Sequence, residues 1–181
     1  MGKMRNLLAG ALLLAAGTAA FAHSEGGYVE NDFFKGMKKG DKAAVLMVHF
    51  GTTYDDTRAL TIDSINQKAK KEFKNADVKE AFTSRIVMRR LKARGIEKQN
   101  PSEVIKDLKA NGYTHLLVQG THIMNGVESN NLAEELKGYE KDFKDIRMGT
   151  PLLTTHEDYE AVAKAIAKKV GPLKANQGVV L

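Results

Sequence analysis

The chain has 181 residues, no cysteine, no tryptophan and a formal charge of +6. Without cysteine, disulfides, thiolate metal sites and cysteine nucleophiles are excluded, and stability must come from an ordinary hydrophobic core. The basic residues form no arginine stripe with interleaved aromatics, which argues against nucleic acid as a partner; a basic surface near a pocket would instead attract a polycarboxylate.

From the N-terminus, Lys3 and Arg5 precede an apolar stretch, Leu7 to Ala16, and Ala20-Phe21-Ala22 is an A-x-A cleavage site. This pattern predicts a signal peptide over 1–22 and a mature chain beginning at His23 in the periplasm. The apolar run is too short for a membrane span, so no stable membrane insertion is expected after cleavage. Residues 23–42, polar and glycine-containing, read as a flexible leader on which Phe33-Phe34 could dock.

Ala43 to Phe50 is a continuous apolar run ended by Gly51-Thr52-Thr53, as in a buried strand entering a loop. Ile62, Ile65, Ala69 and Phe73 recur at helical spacing, predicting a helix from Asp56 to about Phe73. Val78 to Phe82 reads as a strand, with Thr83-Ser84 as the cap of the next helix. Pro101-Ser102 opens another helix, with Val104, Ile105 and Leu108 inward and Asn111-Gly112 at its end. Thr114 to Gln119 is the next strand, and Leu132, Leu136, Tyr139 and Phe143 mark the helix after it. Asp145 to Met148 is strand-like, Tyr159, Val162, Ile166 and Val170 mark the last helix, and Gly178 to Leu181 opens a strand. Alternating strands and helices predict an α/β fold, a parallel sheet with helices on both faces.

In such a sheet, ligands bind beyond the carboxyl ends of the strands. Three strand ends carry small polar residues: Gly51-Thr52-Thr53, Thr121 through Glu128, and Gly149-Thr150. His122 and Glu128, one on the turn and one opening a helix, can converge on one divalent cation, although two ligands are an incomplete set. Each loop alone also fits an ordinary strand-to-helix turn. No G-x-G-x-x-G or Walker pattern occurs, so no nucleotide is expected, and no G-x-S-x-G elbow is present. Alternation along the first strand turns His49 away from Phe50, to a packed position behind the cleft. His115 reads as a satisfied residue at a strand start, and His156 as a cap or surface residue.

Taken in order, His49 to Tyr54 with Thr57-Arg58, Ala81-Phe82-Thr83-Ser84, Val118 to Glu128 and Gly149-Thr150-Pro151-Leu152-Leu153 resemble the anaerobic cobalt chelatases that act on sirohydrochlorin, in their exported form. The resemblance runs from about Ala43 to Leu181 and covers their N-terminal portion. It implies a chelatase-like fold, in which 43–181 is a flavodoxin-like half and the first of two similar halves around a tetrapyrrole cleft. It implies ATP-independent insertion of Co2+, with Fe2+ or Ni2+ as further metal substrates, and a homo-oligomer; haem is left open. The family's H-I-x-N-G-x-E segment matches His122, Ile123, Asn125, Gly126 and Glu128. Glu128 and His122 are thereby expected as catalytic and metal-binding residues. Gly51, Thr52, Thr53, Thr83, Ser84, Asn125 and Gly126 are expected to bind substrate. The family's main metal-binding histidine, in a Gly-His-Gly turn, and a further one from the second half are expected beyond Leu181, so 1–181 alone is expected to be inactive. His49 departs from the pattern, replacing a small residue. Two other readings share these residues: an exported tetrapyrrole or metal carrier without turnover, and a flavodoxin-like domain holding a phosphate-bearing cofactor.

Overall fold

The computed structural model describes residues 33–178. The signal-peptide reading of 1–22, the leader as far as residue 32 and the strand residues Val179 to Leu181 lie outside the described residues. Among the described residues no helix is long and apolar enough to cross a membrane.

Four parallel strands form one sheet. Strand β1 (Ala43–His49) is buried along its whole length, as its unbroken apolar run requires. It pairs with β2 (Asp77–Phe82) on one side and β3 (His115–Gly120) on the other, and β4 (Asp145–Met148) pairs with β3. The order is therefore β2-β1-β3-β4.

Residue parity assigns the two faces. Ala44, Leu46, Val48, Leu116 and Val118 pack with helix α4 (Pro101–Ala110), through Val104, Ile105 and Leu108, and with helix α5 (Val127–Lys137), through Leu132 and Leu136. Ala43, Val45, Met47 and Leu117 pack on the opposite face against Ala69 of helix α2 (Ser64–Glu72) and against Phe33. Phe33, at the start of the described chain, is fully buried and meets the His115 ring edge-on, so the expected docking of this segment is present. A third cluster joins Ile62, Phe82 and Leu91 of helix α3 (Arg85–Lys92).

Local capping follows the sequence in part. Ser84, not Thr83, caps α3 by accepting from the Val87 N–H. Pro101 stands at the first position of α4, and Asn100 and Glu103 complete a capping box there.

Two helix expectations need correction. The segment after β1 is not one regular helix from Asp56: helix α1 (Asp55–Arg58) passes through a π-helical turn (Ala59–Asp63) into α2. The wider turn offsets the exposed first turn from the inward stripe of Ile62, Asn66, Ala69 and Phe73. Ile65 lies at the edge of that stripe and is exposed, and Asn66 takes the buried place. Helix α5 ends at Lys137, where Gly138 has low helix propensity, so Tyr139 and Phe143 join the core from a turn. Helix α6 (His156–Val170) forms where expected, although it buries no residue, and Tyr159 and Val170 of its apolar stripe are exposed.

Candidate functional site

From β1 the chain steps outward to β2, then returns across the sheet to β3 and on to β4. The strand order reverses between β1 and β3, and their following helices lie on opposite faces. The crevice at their carboxyl ends is therefore the expected ligand position. Two of the three candidate loops, Gly51-Thr52-Thr53 and Thr121 to Glu128, emerge directly from these two strands.

Hydrogen bonds fix the crevice walls. The Thr121 N–H donates to the Val48 carbonyl at 2.8 Å, and the Thr83 and Ser84 N–H groups donate to the His49 and Phe50 carbonyls. The N–H groups of Leu152 and Leu153 donate to the His122 and Ile123 carbonyls, at 3.0 and 2.7 Å. The loop after β4 thus clamps the His122 segment from the far side. Ser129 Oγ bridges the N–H and carbonyl of Gly126, starting α5 and placing Glu128 in its first turn.

His122 lies against the backbone of Gly120, so closely that a Cβ there would stand 2.6 Å from Nδ1. Both ring nitrogens are buried and neither has a hydrogen-bond partner. Burial holds its pKa below the ordinary value of 6.5, with the Glu128 carboxylate opposing that shift. The ring is thus neutral near pH 7 and can offer a lone pair to a metal. Among the described residues no group of three or more His, Cys, Asp or Glu gathers that could hold a metal ion, and Glu128 acts on His122 through its charge. Glu128 itself is exposed.

Among the described residues, four buried side-chain polar atoms lack a partner: Arg58 Nη1, Thr83 Oγ1 and the two His122 nitrogens. They follow β1, β2 and β3 respectively, all at the carboxyl edge of the sheet. Desolvated groups left unpaired cost roughly 1–3 kcal/mol each unless something occupies the site. Arg58 belongs to the recognised Thr57-Arg58 motif, yet its sequence alone assigns it no role. Its other terminal nitrogen donates to Asp55 at 2.8 Å. Exposed large apolar side chains share this edge: Phe50, Tyr54, Ile86, Ile123, Met124 and Val127.

The expected substrate-binding set is only partly free. Gly51, Thr52 and Thr53 line the β1 loop, and Thr52 Oγ1 accepts from the Tyr54 N–H at 3.2 Å. Thr83 keeps an unpartnered hydroxyl, while the backbone N–H groups of Thr83 and Ser84 are committed to β1 and that of Gly126 to Ser129. Asn125 is exposed beside Gly126. Gly149 is buried against Gln119, whose amide donates to the carbonyls of Gly120 and Thr150.

His49 is 1% exposed and Phe50 53%, the alternation expected. Sequence reasoning missed the partners behind it. His49 Nδ1 lies 3.0 Å from Thr121 Oγ1 and Nε2 3.0 Å from Asn66 Oδ1. Asn66 Nδ2 donates to Glu80 at 2.9 Å, and Glu80 pairs with Lys98. The one signal in the sequence is an asparagine on an otherwise apolar helix stripe. His115 is satisfied by Thr114 Oγ1 at 2.9 Å, as expected, and His156 is a surface residue behind the Thr155 cap.

Burial also holds the His49 pKa below 6.5. As pH falls, the unfolded chain takes up its proton first, so the stability tied to neutral His49 is complete above about 6.5 and drains as pH falls through the lowered native value. His122 acts in the same sense. The urea midpoint is therefore expected to fall between about pH 7.5 and about pH 5.5, and an unchanged midpoint would contradict the assignment.

The family model described as cobalt chelatase (CbiK) matches residues 43–181. The sirohydrochlorin cobaltochelatase of Salmonella typhimurium is 32% identical over 77% of this chain and 53% of its own length. Sirohydrochlorin cobaltochelatase CbiKC of Nitratidesulfovibrio vulgaris is 28% identical over 69% of this chain and 45% of its own. The chain thus spans about half the length of the curated relatives it matches. A crystal structure of a cobalamin (vitamin B12) biosynthesis CbiX protein from Marinobacter aquaeolei VT8 shares the fold. Its TM-score is 0.50 at 10% identity, with 72% of this chain and 96% of that one covered. The parallel sheet, its switch-point crevice and the match from 43 to 181 agree: the chain belongs to the cobalt chelatase (CbiK) family.

Proposed function

We propose that this chain carries the N-terminal part of a sirohydrochlorin cobaltochelatase, which inserts Co2+ into the macrocycle without ATP or another nucleotide and accepts Fe2+ or Ni2+ as alternative metal substrates. The observation that carries this reading is the gathering of unpartnered buried polar atoms on Arg58, Thr83 and His122 at one edge of the sheet. A flat macrocycle with acidic side groups meets such an edge on both terms. Exposed apolar side chains cover its face, and a guanidinium with hydroxyl donors takes carboxylates.

In this reading neutral His122 receives the metal, and Glu128 shares it or accepts a pyrrole proton. Gly51, Thr52, Thr53, Thr83, Ser84, Asn125 and Gly126 line the substrate; at Thr83 and Ser84 the hydroxyls serve, because their N–H groups are already used, and Gly126, whose N–H and carbonyl are both taken, lines it by shape alone. Further histidine ligands come from outside residues 1–181, and the protein works in the periplasm as a homo-oligomer after removal of 1–22. Glu128→Ala in the intact protein is expected to slow cobalt insertion at least about tenfold, or about 1.4 kcal/mol. Unchanged anaerobic turnover would remove Glu128 from the mechanism.

A second reading, an exported tetrapyrrole or metal carrier, is favoured by the signal-like N-terminus. It predicts stoichiometric binding without turnover.

A further inference from the structure

The polar groups behind the crevice form one directed chain. Glu80 carries a carboxylate held by Lys98 and can only accept, so the Asn66 atom facing it is the amide nitrogen. That orientation turns Asn66 Oδ1, an acceptor only, toward His49 Nε2. His49 must then carry its proton on Nε2, leaving Nδ1 as an acceptor. The remaining partner of Nδ1 is the Thr121 hydroxyl, which donates to it at 3.0 Å; its other inward acceptor, the Val48 carbonyl, is more distant at 3.3 Å. With its one proton spent inward, Thr121 Oγ1 has lone pairs to offer and nothing to donate. Thr121 is half-buried at the switch point, next to His122.

We infer that Thr121 presents its hydroxyl oxygen to the cleft as an acceptor for an inner N–H of the metal-free macrocycle, and that His49 is the positioning residue that fixes this polarity. The inference rests on the chelatase reading and deepens it. A metal-free tetrapyrrole has inner N–H donors and its metal complex has none. An acceptor-only hydroxyl therefore favours the substrate over the product, in the direction that lets the product leave. The other tautomer, with the proton on Nδ1, would donate into Thr121 Oγ1 and remove this discrimination. The charged groups around His49 are Glu80 and Lys98 on the β2 side and Asp63 from the π-helical turn. The Glu80–Lys98 pair closes the chain, so its direction is set from the side remote from the crevice.

The test uses the intact protein under anaerobic conditions, with metal-free sirohydrochlorin and cobalt sirohydrochlorin as separate ligands. Thr121→Val is expected to weaken binding of the metal-free form about tenfold, to leave the cobalt form nearly unchanged, and to raise KM more than it lowers kcat. Thr121→Ser keeps the hydroxyl and is expected to retain the wild-type preference. Nitrogen NMR of His49 is expected to show the Nε2–H tautomer, and Asn66→Leu to release it and erode the same preference. Equal weakening of both ligands by Thr121→Val, or an Nδ1–H tautomer in the wild type, would overturn the inference while leaving the chelatase reading standing. A wild-type protein that binds neither tetrapyrrole would overturn both.

Discussion

Gly51→Ala is expected to lower stability by about 2–4 kcal/mol. Two costs coincide there. Gly51 has φ +97°, a conformation that side chains beyond glycine seldom adopt. A Cβ at this position would also stand 2.4 Å from Cδ2 of Phe82. Phe82 is fully buried between Ile62 and Leu91, and its ring meets His49 edge-on, so it has no open side to move into. The turn is tight because β1 must end within contact of β2, where the Thr83 and Ser84 N–H groups donate to the His49 and Phe50 carbonyls. Thermal or urea unfolding of Gly51→Ala checks the value, and a change below about 0.5 kcal/mol would contradict the packing described.

His122→Ala is expected to reduce cobalt binding at least about a hundredfold, or about 2.8 kcal/mol, while leaving the melting temperature unchanged or higher. The two readouts separate because His122 makes no side-chain hydrogen bond whose loss would destabilise the fold. Removing a buried, unpartnered imidazole relieves desolvation that the ring now bears. Gly120→Ala should reproduce part of the binding loss without touching the ligand. Its Cβ would stand 2.6 Å from Nδ1 and 3.1 Å from Cε1, forcing the ring off its seat. Calorimetric titration of the intact protein with Co2+ distinguishes the outcomes. Equal affinity in wild type and His122→Ala would make His122 a packing residue.

How far this was legible in the sequence depended on which physics each residue reports. The strands at Ala43 to His49 and His115 to Gly120 were readable because burial on both faces leaves continuous apolar runs. The carboxyl-edge loops followed from the alternation of strands and helices, which makes the sheet parallel. The position of His49 behind the cleft followed from strand alternation alone. Helix interiors were less certain. Tyr139 and Phe143 are apolar because they reach the core, yet Gly138 ends the helix before them. Ile65 and Asn66 compete for one inward place, and the asparagine holds it because His49 and Glu80 supply both of its partners. That choice depends on residues distant in sequence, so no local pattern contains it. The open coordination of His122 was equally invisible, because a missing partner is a property of the folded surroundings. The motif pointed to the residue, and the structure shows both of its ring nitrogens buried without a partner.

The measurement that bears most directly on the central claim is the absorbance spectrum of sirohydrochlorin incubated anaerobically with Co2+ and catalytic amounts of the intact protein, without nucleotide. The account predicts complete conversion to cobalt sirohydrochlorin through many turnovers, at a rate above the protein-free reaction. Conversion no faster than without protein, or a spectral change that stops at one macrocycle per protein, would contradict a chelatase and leave a carrier in its place.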